Sequence, residues 1–229
     1  MNPVGTLYIV ATPIGNLEDI TLRALRILGE VDCILCEDTR TTKKLLSKYN
    51  IHTKTMSYHA HSTADKESVI IHMLEEGKNL ALVSDAGTPC ISDPGVLLVQ
   101  NVREMLKENA LIVPVPGPSA LITALCASGV STAEFTFLGF IPHKKGRETL
   151  FRQIGESQTV NVFYESTHRI EKALQSLHEY APTAHVVIGR ELTKQFEEFV
   201  RGTAEEILQY FTDHPEKQKG EFVVIVAPK

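Results

Sequence analysis

Cysteine is scarce in this 229-residue chain, and the four present, Cys33, Cys36, Cys90 and Cys126, lack the dense regular spacing of a disulfide framework. Reduced thiols are expected. Long apolar runs are missing as well. No stretch reaches the length that spans a bilayer, and the opening MNPVGTLYIVATP has neither a basic start nor a small-residue cleavage site, so the chain is read as cytoplasmic and without a membrane partner. Nor is there an excess of positive charge. Lys and Arg total 23 against 28 Asp and Glu, a formal net charge of −5, so the whole-molecule field does not favour nucleic acid and no DNA partner is expected. An RNA site would have to be a local basic patch. RTTKKLLSK at 40–48 and HKKGR at 143–147 qualify, although each also reads as a solvated helix face or loop. Neither a phosphate loop of the form G-x-x-x-x-G-K-[ST] nor a G-x-G-x-x-G fingerprint occurs, which disfavours P-loop nucleotidases and ordinary dinucleotide folds. No internal repeat or low-complexity tract interrupts the chain.

The apolar fraction of 43% is enough to fill a sizeable core. LYIVA at 7–11 reads as a first strand halted by the Pro and Gly of TPIGN. Helical spacing over 20–28, a strand in VDCILC, a helix over 39–49, a strand over 53–57, a helix over 64–76 and a strand over 80–83 follow. Such alternation implies βαβ units and a mostly parallel sheet. After the strand-like LIV at 111–113 the chain carries three prolines in PVPGP, which fits a junction between an N-terminal α/β domain, 1–114, and a C-terminal α/β domain, 115–229. SALITALCAS reads as the next helix. Strands are then expected over 135–140, 160–164, 186–188 and 222–226, with helices near 146–154, 168–180 and 204–211.

Two motifs invite metal or redox readings. Cys33 and Cys36 form a C-x-x-C, but inside an apolar strand pattern they read as core residues. His59 and His61 in SYHAHS have no accompanying carboxylate or cysteine cluster, so a polar loop is the preferred reading and no metal is expected. More informative are two turn-rich loops that follow strand ends, TPIGN and SDAGTPCISDPG. Ligands collect at the carboxyl ends of parallel strands, where Gly and Pro let main chain approach, and Asp85 or Asp93 could hold hydroxyls or a cation there. Alone, this points to a ligand-binding α/β protein and no further.

The ordered segments VATPIGNLEDITLRAL, CEDTRTTKKLL, LVSDAGTPCISDPG, PGPSA, FYESTHR, GRELTKQFEEFVRG and KGEFVVIV together resemble the tetrapyrrole methylase family of S-adenosylmethionine-dependent methyltransferases. Within it they are most similar to the group of small subunit ribosomal RNA methyltransferases that act on the ribose 2′-oxygen of a 16S cytidine. The resemblance runs from about 7 to 226. It implies a class III methyltransferase-like fold, two α/β domains with mixed, mostly parallel sheets and the methyl donor in the interdomain cleft, and a homodimer acting on 16S rRNA in the small ribosomal subunit. It also implies donor contacts at Pro13, Asp85, Gly87, Thr88 and Ile91, with further contacts at Ser119, Ala120, Phe163, Tyr164, Gly220, Glu221 and Phe222. Thr88 stands where the wider family has an aspartate. The group carries a basic stretch after its last strand, whereas this sequence runs three residues past Val226.

Methyl transfer to a hydroxyl needs a route for the proton, and Asp38 and Glu165, each just past a strand end, are the expected bases. The competing reading makes Glu37, Asp38 and Arg40 a structural ion-pair network and sets Glu165 against Arg169 one helical turn on. Arg40, Lys144, Lys145, Arg147, Arg169, Arg190 and Lys194 are expected to hold RNA phosphates, with His59 or Tyr58 stacking on a base. A small-molecule acceptor such as a corrin precursor, or a noncatalytic protein binding S-adenosylmethionine or RNA, are the alternatives.

Overall fold

The computed structural model describes residues 3–59 and 64–228. The chain divides into two compact units, Met1–Ser119 and Ala120–Lys229. A junction at 114/115 would fall inside the fifth strand, at the end of the first unit.

In the first unit, β1 (Thr6–Val10), β2 (Cys33–Cys36), β3 (Thr55–Ser57), β4 (Leu80–Leu82) and β5 (Leu111–Val115) lie in the order β3-β2-β4-β1-β5, and every pairing is parallel. Its helices are α1 (Leu22–Glu30), α2 (Thr39–Lys48), α3 (Ala64–Glu75) and α4 (Val96–Leu106). Both faces of a parallel sheet are covered, so its strands are apolar throughout and successive residues serve opposite sides. Val10, Ile34, Cys36, Ala81 and Val83 pack with Ala24, Ile27 and Leu28 of α1 and Leu45 and Leu46 of α2. Leu7, Cys33, Leu35, Leu80 and Leu82 pack with Ile70 and Leu74 of α3 and Leu98 and Val102 of α4. Each fully buried aliphatic side chain of this kind contributes about 1.5–3 kcal/mol. Cys33 and Cys36 are thus core residues on opposite faces, and burial raises both thiols above their ordinary pKa. Neither is disulfide-bonded.

Strand order locates the ligand end. From β1 the chain passes through α1 toward β2, and from β4 it passes through α4 toward β5 on the other side, while β4 and β1 are neighbours. Connections that diverge from adjacent strands to opposite faces open a crevice at their carboxyl ends, the usual ligand position in such sheets. TPIGN and SDAGTPCISDPG are the loops at those two ends.

The second unit contains β6 (Phe135–Phe140), β7 (Val160–Ser166), β8 (Val186–Arg190), β9 (Glu198–Gly202) and β10 (Glu221–Val226) in the order β6-β7-β10-β8-β9. Only β6 and β7 pair in parallel here; β7–β10, β10–β8 and β8–β9 are antiparallel, so the parallel expectation applies to the first sheet. α5 (Ala120–Ser128), α6 (Arg147–Glu156), α7 (Ile170–Tyr180) and α8 (Ala204–Asp213) complete the unit. Thr203 caps α8 in a reciprocal capping box with Glu206. One cluster joins Phe151, Ile154, Ile170, Leu174, Leu177, Ile207 and Phe211 to the strand residues Phe163, Ile188, Phe222 and Val224.

Two elements escape the sequence pattern. α4 opens on VLLV, an apolar run without helical alternation, and β9, EFVRG, carries charges within an edge strand that pairs only with β8. Both follow from their neighbours and not from local periodicity.

Candidate active site

The two loops of the first unit are tied together at their roots. Thr12 N–H donates to the Gly87 carbonyl at 2.9 Å and Gly87 N–H returns to Thr12 at 3.0 Å, an isolated antiparallel bridge. The buried Thr12 hydroxyl donates to the Ser84 carbonyl at 3.0 Å. The 83–95 loop then turns through positive φ at Gly87, Cys90, Ser92 and Gly95. At Gly95 (φ 127°) a Cβ would lie 2.7 Å from Leu82 Cδ2 and 2.9 Å from Cys90 Sγ, so only glycine lets the loop fold back on β4. Thr88 donates its hydroxyl to the Pro118 carbonyl at 3.1 Å, anchoring the loop to the PGPSA segment. Asp85 and Ile91 are exposed, Thr88 is half-buried, and Pro13 and Gly87 are buried. Pro13 and Gly87 therefore shape the loops, and Asp85 and Ile91 offer side chains to a ligand.

Carboxylates gather at this end. The backbone N–H of Asp38, just past β2, donates to Asp85 Oδ1 at 3.1 Å, which places CEDTR beside SDAGTP. Asp38 also caps α2, accepting from Arg40 N–H at 2.8 Å, and binds the Arg40 guanidinium at 2.7 Å. Those hydrogen bonds from Arg40 hold its pKa down to about 2. Asp93 is shifted the other way: burial and the negative charge of Glu37 raise it to about 6, with Asp85 adding to the rise and a hydrogen bond from Ser84 opposing it. Burial and Asp85 also raise Glu37, while His59 lowers it. Mutual repulsion of this kind is relieved by a bound cation, so the site fits a ligand bearing positive charge and hydroxyls. Thr12 and Glu37 lie outside the site set read from the sequence. Two acidic residues following an all-apolar strand are the only signal for Glu37, and nothing local marks Thr12.

Asp38 is correspondingly a poor base, since a carboxylate near pH 2 accepts a hydroxyl proton weakly. Tyr58 is no stacking surface: it is buried, and its hydroxyl donates to Glu67 Oε1 at 2.7 Å while Glu67 also receives the Asn101 amide, linking the end of β3 to α3 and α4. Burial and Glu67 push its phenol upward. His59 is half-buried, and His61 lies outside the described residues. Among the described residues, no group of three or more His, Cys, Asp and Glu side chains is placed to hold a metal ion.

In the second unit, strand alternation separates the expected donor contacts. Phe163 and Phe222 are 0% and 2% exposed and belong to the helix-covered core, so their rings cannot line a ligand. Tyr164 faces the other way, with its ring edge-on to Phe137 and Phe140 and its hydroxyl accepting from Leu121 N–H at 3.2 Å. Gly220 (φ 128°) lies where a Cβ would meet Glu191 Cγ at 2.7 Å, and its carbonyl receives the Thr167 hydroxyl at 2.9 Å. Glu221 is exposed and pairs with Lys194 at 2.8 Å. Ser119 and Ala120 are half-buried, on either side of the division between units.

The expected cations also sort by partner. Arg190 is 7% exposed, donating to the carbonyls of Lys219 and Phe196 beside Glu198, and Lys194 lies between Glu191 and Glu221; both are committed to the fold. Arg40 is exposed but held by Asp38. Lys144 and Lys145 are exposed on the β6–α6 loop, with Arg147 and Arg169 half-buried below them. Glu165, expected as a base, has no side-chain exposure and stands between Arg169 Nε at 3.3 Å and Arg147 Nη1 at 3.8 Å. A carboxylate enclosed by two guanidiniums cannot reach a substrate hydroxyl, and the ion-pair reading applies to it.

The family model described as Tetrapyrrole (Corrin/Porphyrin) Methylases matches residues 6–208. Curated relatives include a protein of Halalkalibacterium halodurans named ribosomal RNA small subunit methyltransferase I, 48% identical over 97% of this chain and 75% of its own length. One of the same name from Thermotoga maritima is 43% identical over 99% of this chain and 100% of its own. Among solved structures, a diphthine synthase superposes with a TM-score of 0.74 at 12% identity, covering 98% of this chain and 90% of the other, a likeness of fold.

Proposed function

The chain belongs to the tetrapyrrole methylase family, and from that premise we propose that it methylates the ribose 2′-oxygen of a cytidine in 16S ribosomal RNA, in the small ribosomal subunit, as a cytoplasmic homodimer. The observation that carries the RNA part is the near full-length identity to relatives named ribosomal RNA small subunit methyltransferase I. S-adenosylmethionine is the methyl donor of the family, supplying an electrophilic methyl group on a sulfonium.

The residues of the first unit fit that donor. Asp85, Asp93 and Glu37 present negative charge to its cationic groups, and the 83–95 loop brings main chain close at Gly87 and Thr88. Asp38 is assigned to fixing Asp85 through its N–H, and a carboxylate held at about 2 is not the proton acceptor. Ile91, exposed on the same loop, is assigned a further contact with the donor. Positioning supplies roughly 7–11 kcal/mol of such a barrier, against roughly 3–5 kcal/mol from a base, so the rigidity of the two bridged loops matters more than any one carboxylate.

Incubation with tritium-labelled donor and small subunits from cells lacking the endogenous activity tests the proposal. Label on a cytidine ribose 2′-oxygen of 16S RNA is expected. Donor binding with no label on RNA would redirect the search to small-molecule acceptors.

A further inference from the structure

Around Glu165 two arginines share one carboxylate. Glu165 is the last residue but one of β7, with its carboxylate buried; Oε1 accepts from Ser166 N–H at 2.8 Å and lies 3.3 Å from Arg169 Nε. Its Oε2, 3.8 Å from Arg147 Nη1, has no hydrogen bond, and Arg147 Nη2 is buried without an acceptor. Buried polar atoms are rarely left unmatched, and these two belong to one ion pair, which ties Arg147 to Glu165. Arg169 meanwhile donates to the carbonyls of Ile141 and Pro142 and meets His143 Nε2 at 3.2 Å, and Arg147 reaches the Pro142 carbonyl at 3.5 Å. One buried carboxylate thus orients two arginines, and the arginines pin the 141–147 loop that exposes Lys144 and Lys145.

Charge and local structure favour an anion. Two arginines face one carboxylate, with two lysines beside them; Glu148 is engaged by Arg152, and Glu171 accepts from Gln175. Arg147 and Arg169 also stand at the starts of α6 and α7, neither of which has a side-chain N-cap. Helix starts and a planar guanidinium both suit phosphate.

We propose that Arg147 and Arg169 form a phosphate cradle for the RNA backbone, with Glu165 as its positioning residue. This rests on the ribosomal RNA reading above. The Arg147 and Arg169 side chains, 17% and 16% exposed, meet the phosphate with that exposed portion, Lys144 and Lys145 contact flanking phosphates, and Glu165 fixes the two guanidiniums without touching substrate.

The test compares Glu165→Gln with wild type in three readouts: KM for small subunits, kcat, and donor affinity by calorimetry, with binding of a fluorescent 16S fragment measured separately. Glu165→Gln removes a negative charge. If the cluster acted on RNA through charge alone, RNA binding would tighten or hold, and that result overturns the proposal. The cradle predicts about a tenfold higher KM and weaker fragment binding, with kcat and donor affinity within about twofold. Should Glu165→Gln lose donor affinity and folding together, Arg147→Lys decides, because it keeps the charge and removes the fork: unchanged KM and fragment binding overturn the cradle, and about a tenfold loss supports it. Wild-type protein that binds the fragment but methylates no RNA would reject the proposed function and leave the cradle standing. Wild-type turnover that neither variant alters would do the reverse.

Discussion

The carboxyl ends of β2 and β4 in the first sheet and of β6 and β7 in the second carry opposite charge. In the first unit, Glu37, Asp38, Asp85 and Asp93 gather at the ends of β2 and β4, and burial together with their repulsion raises Glu37 and Asp93. In the second, Arg147 and Arg169 gather at the ends of β6 and β7 around one carboxylate, below two exposed lysines. A net charge of −5 is therefore an average over two dissimilar sites, one suited to a cationic donor and one to a polyanionic acceptor.

Reversing the charge of the acidic end should have the largest effect. Asp85→Lys is expected to weaken donor binding by about 100-fold, through lost attraction and the lost hold on Asp38 N–H, with binding of an RNA fragment maintained. Calorimetry with S-adenosylmethionine reads this, and a change under threefold would separate Asp85 from the donor site. Asp93→Asn is milder, with an expected donor Kd about tenfold higher. Its stability should move the opposite way. A folded pKa of about 6, above the unfolded value, stabilises at low pH and loses that contribution as pH rises through 6, so the carboxylate is a liability at pH 8. Relief of about 1 kcal/mol would raise Tm by about 2–4 °C at pH 8, with no gain at pH 4; a lower Tm at pH 8 counts against a repelled carboxylate.

The same titration predicts that wild-type donor affinity falls as pH drops below about 6, because protonated Asp93 no longer attracts a cation. Asp93→Asn should flatten that profile, and a profile unchanged by the substitution would assign the pH dependence elsewhere. The smallest effect is expected at the basic end. Lys144→Ala with Lys145→Ala should reduce the slope of log affinity against log salt by about 1–2 for RNA, leaving donor affinity alone. A salt slope equal to that of wild type would remove both lysines from the phosphate contacts.

Much of this fold is legible along the chain. Apolar strands alternating with helices mark the first unit, CILC is recognisable as core despite its C-x-x-C spacing, and the turn-rich loops fall after β1 and β4. Roles within the site are less legible. Asp38 and Glu165 have the composition and strand-end placement of bases, yet Asp38 is held at about 2 by Arg40 and Glu165 is enclosed by arginines from two different helix starts. Phe163 and Tyr164 are adjacent in sequence and lie on opposite faces, one in the core and one beside Phe140.

Element type and order, the turn-rich loops at the strand ends and membership of a methylase family are properties of the sequence itself, because hydrophobic period, turn chemistry and motif order are local. Tertiary structure decides which charged residues are available. A carboxylate's proton affinity and a ring's exposure depend on groups far along the chain: Asp38 meets Asp85 from 47 residues away, and Glu165 and Phe163 are covered by helices that the strand pattern does not position. Charge and burial act through space, and the strand alternation that specifies two faces does not say which face a later helix will cover.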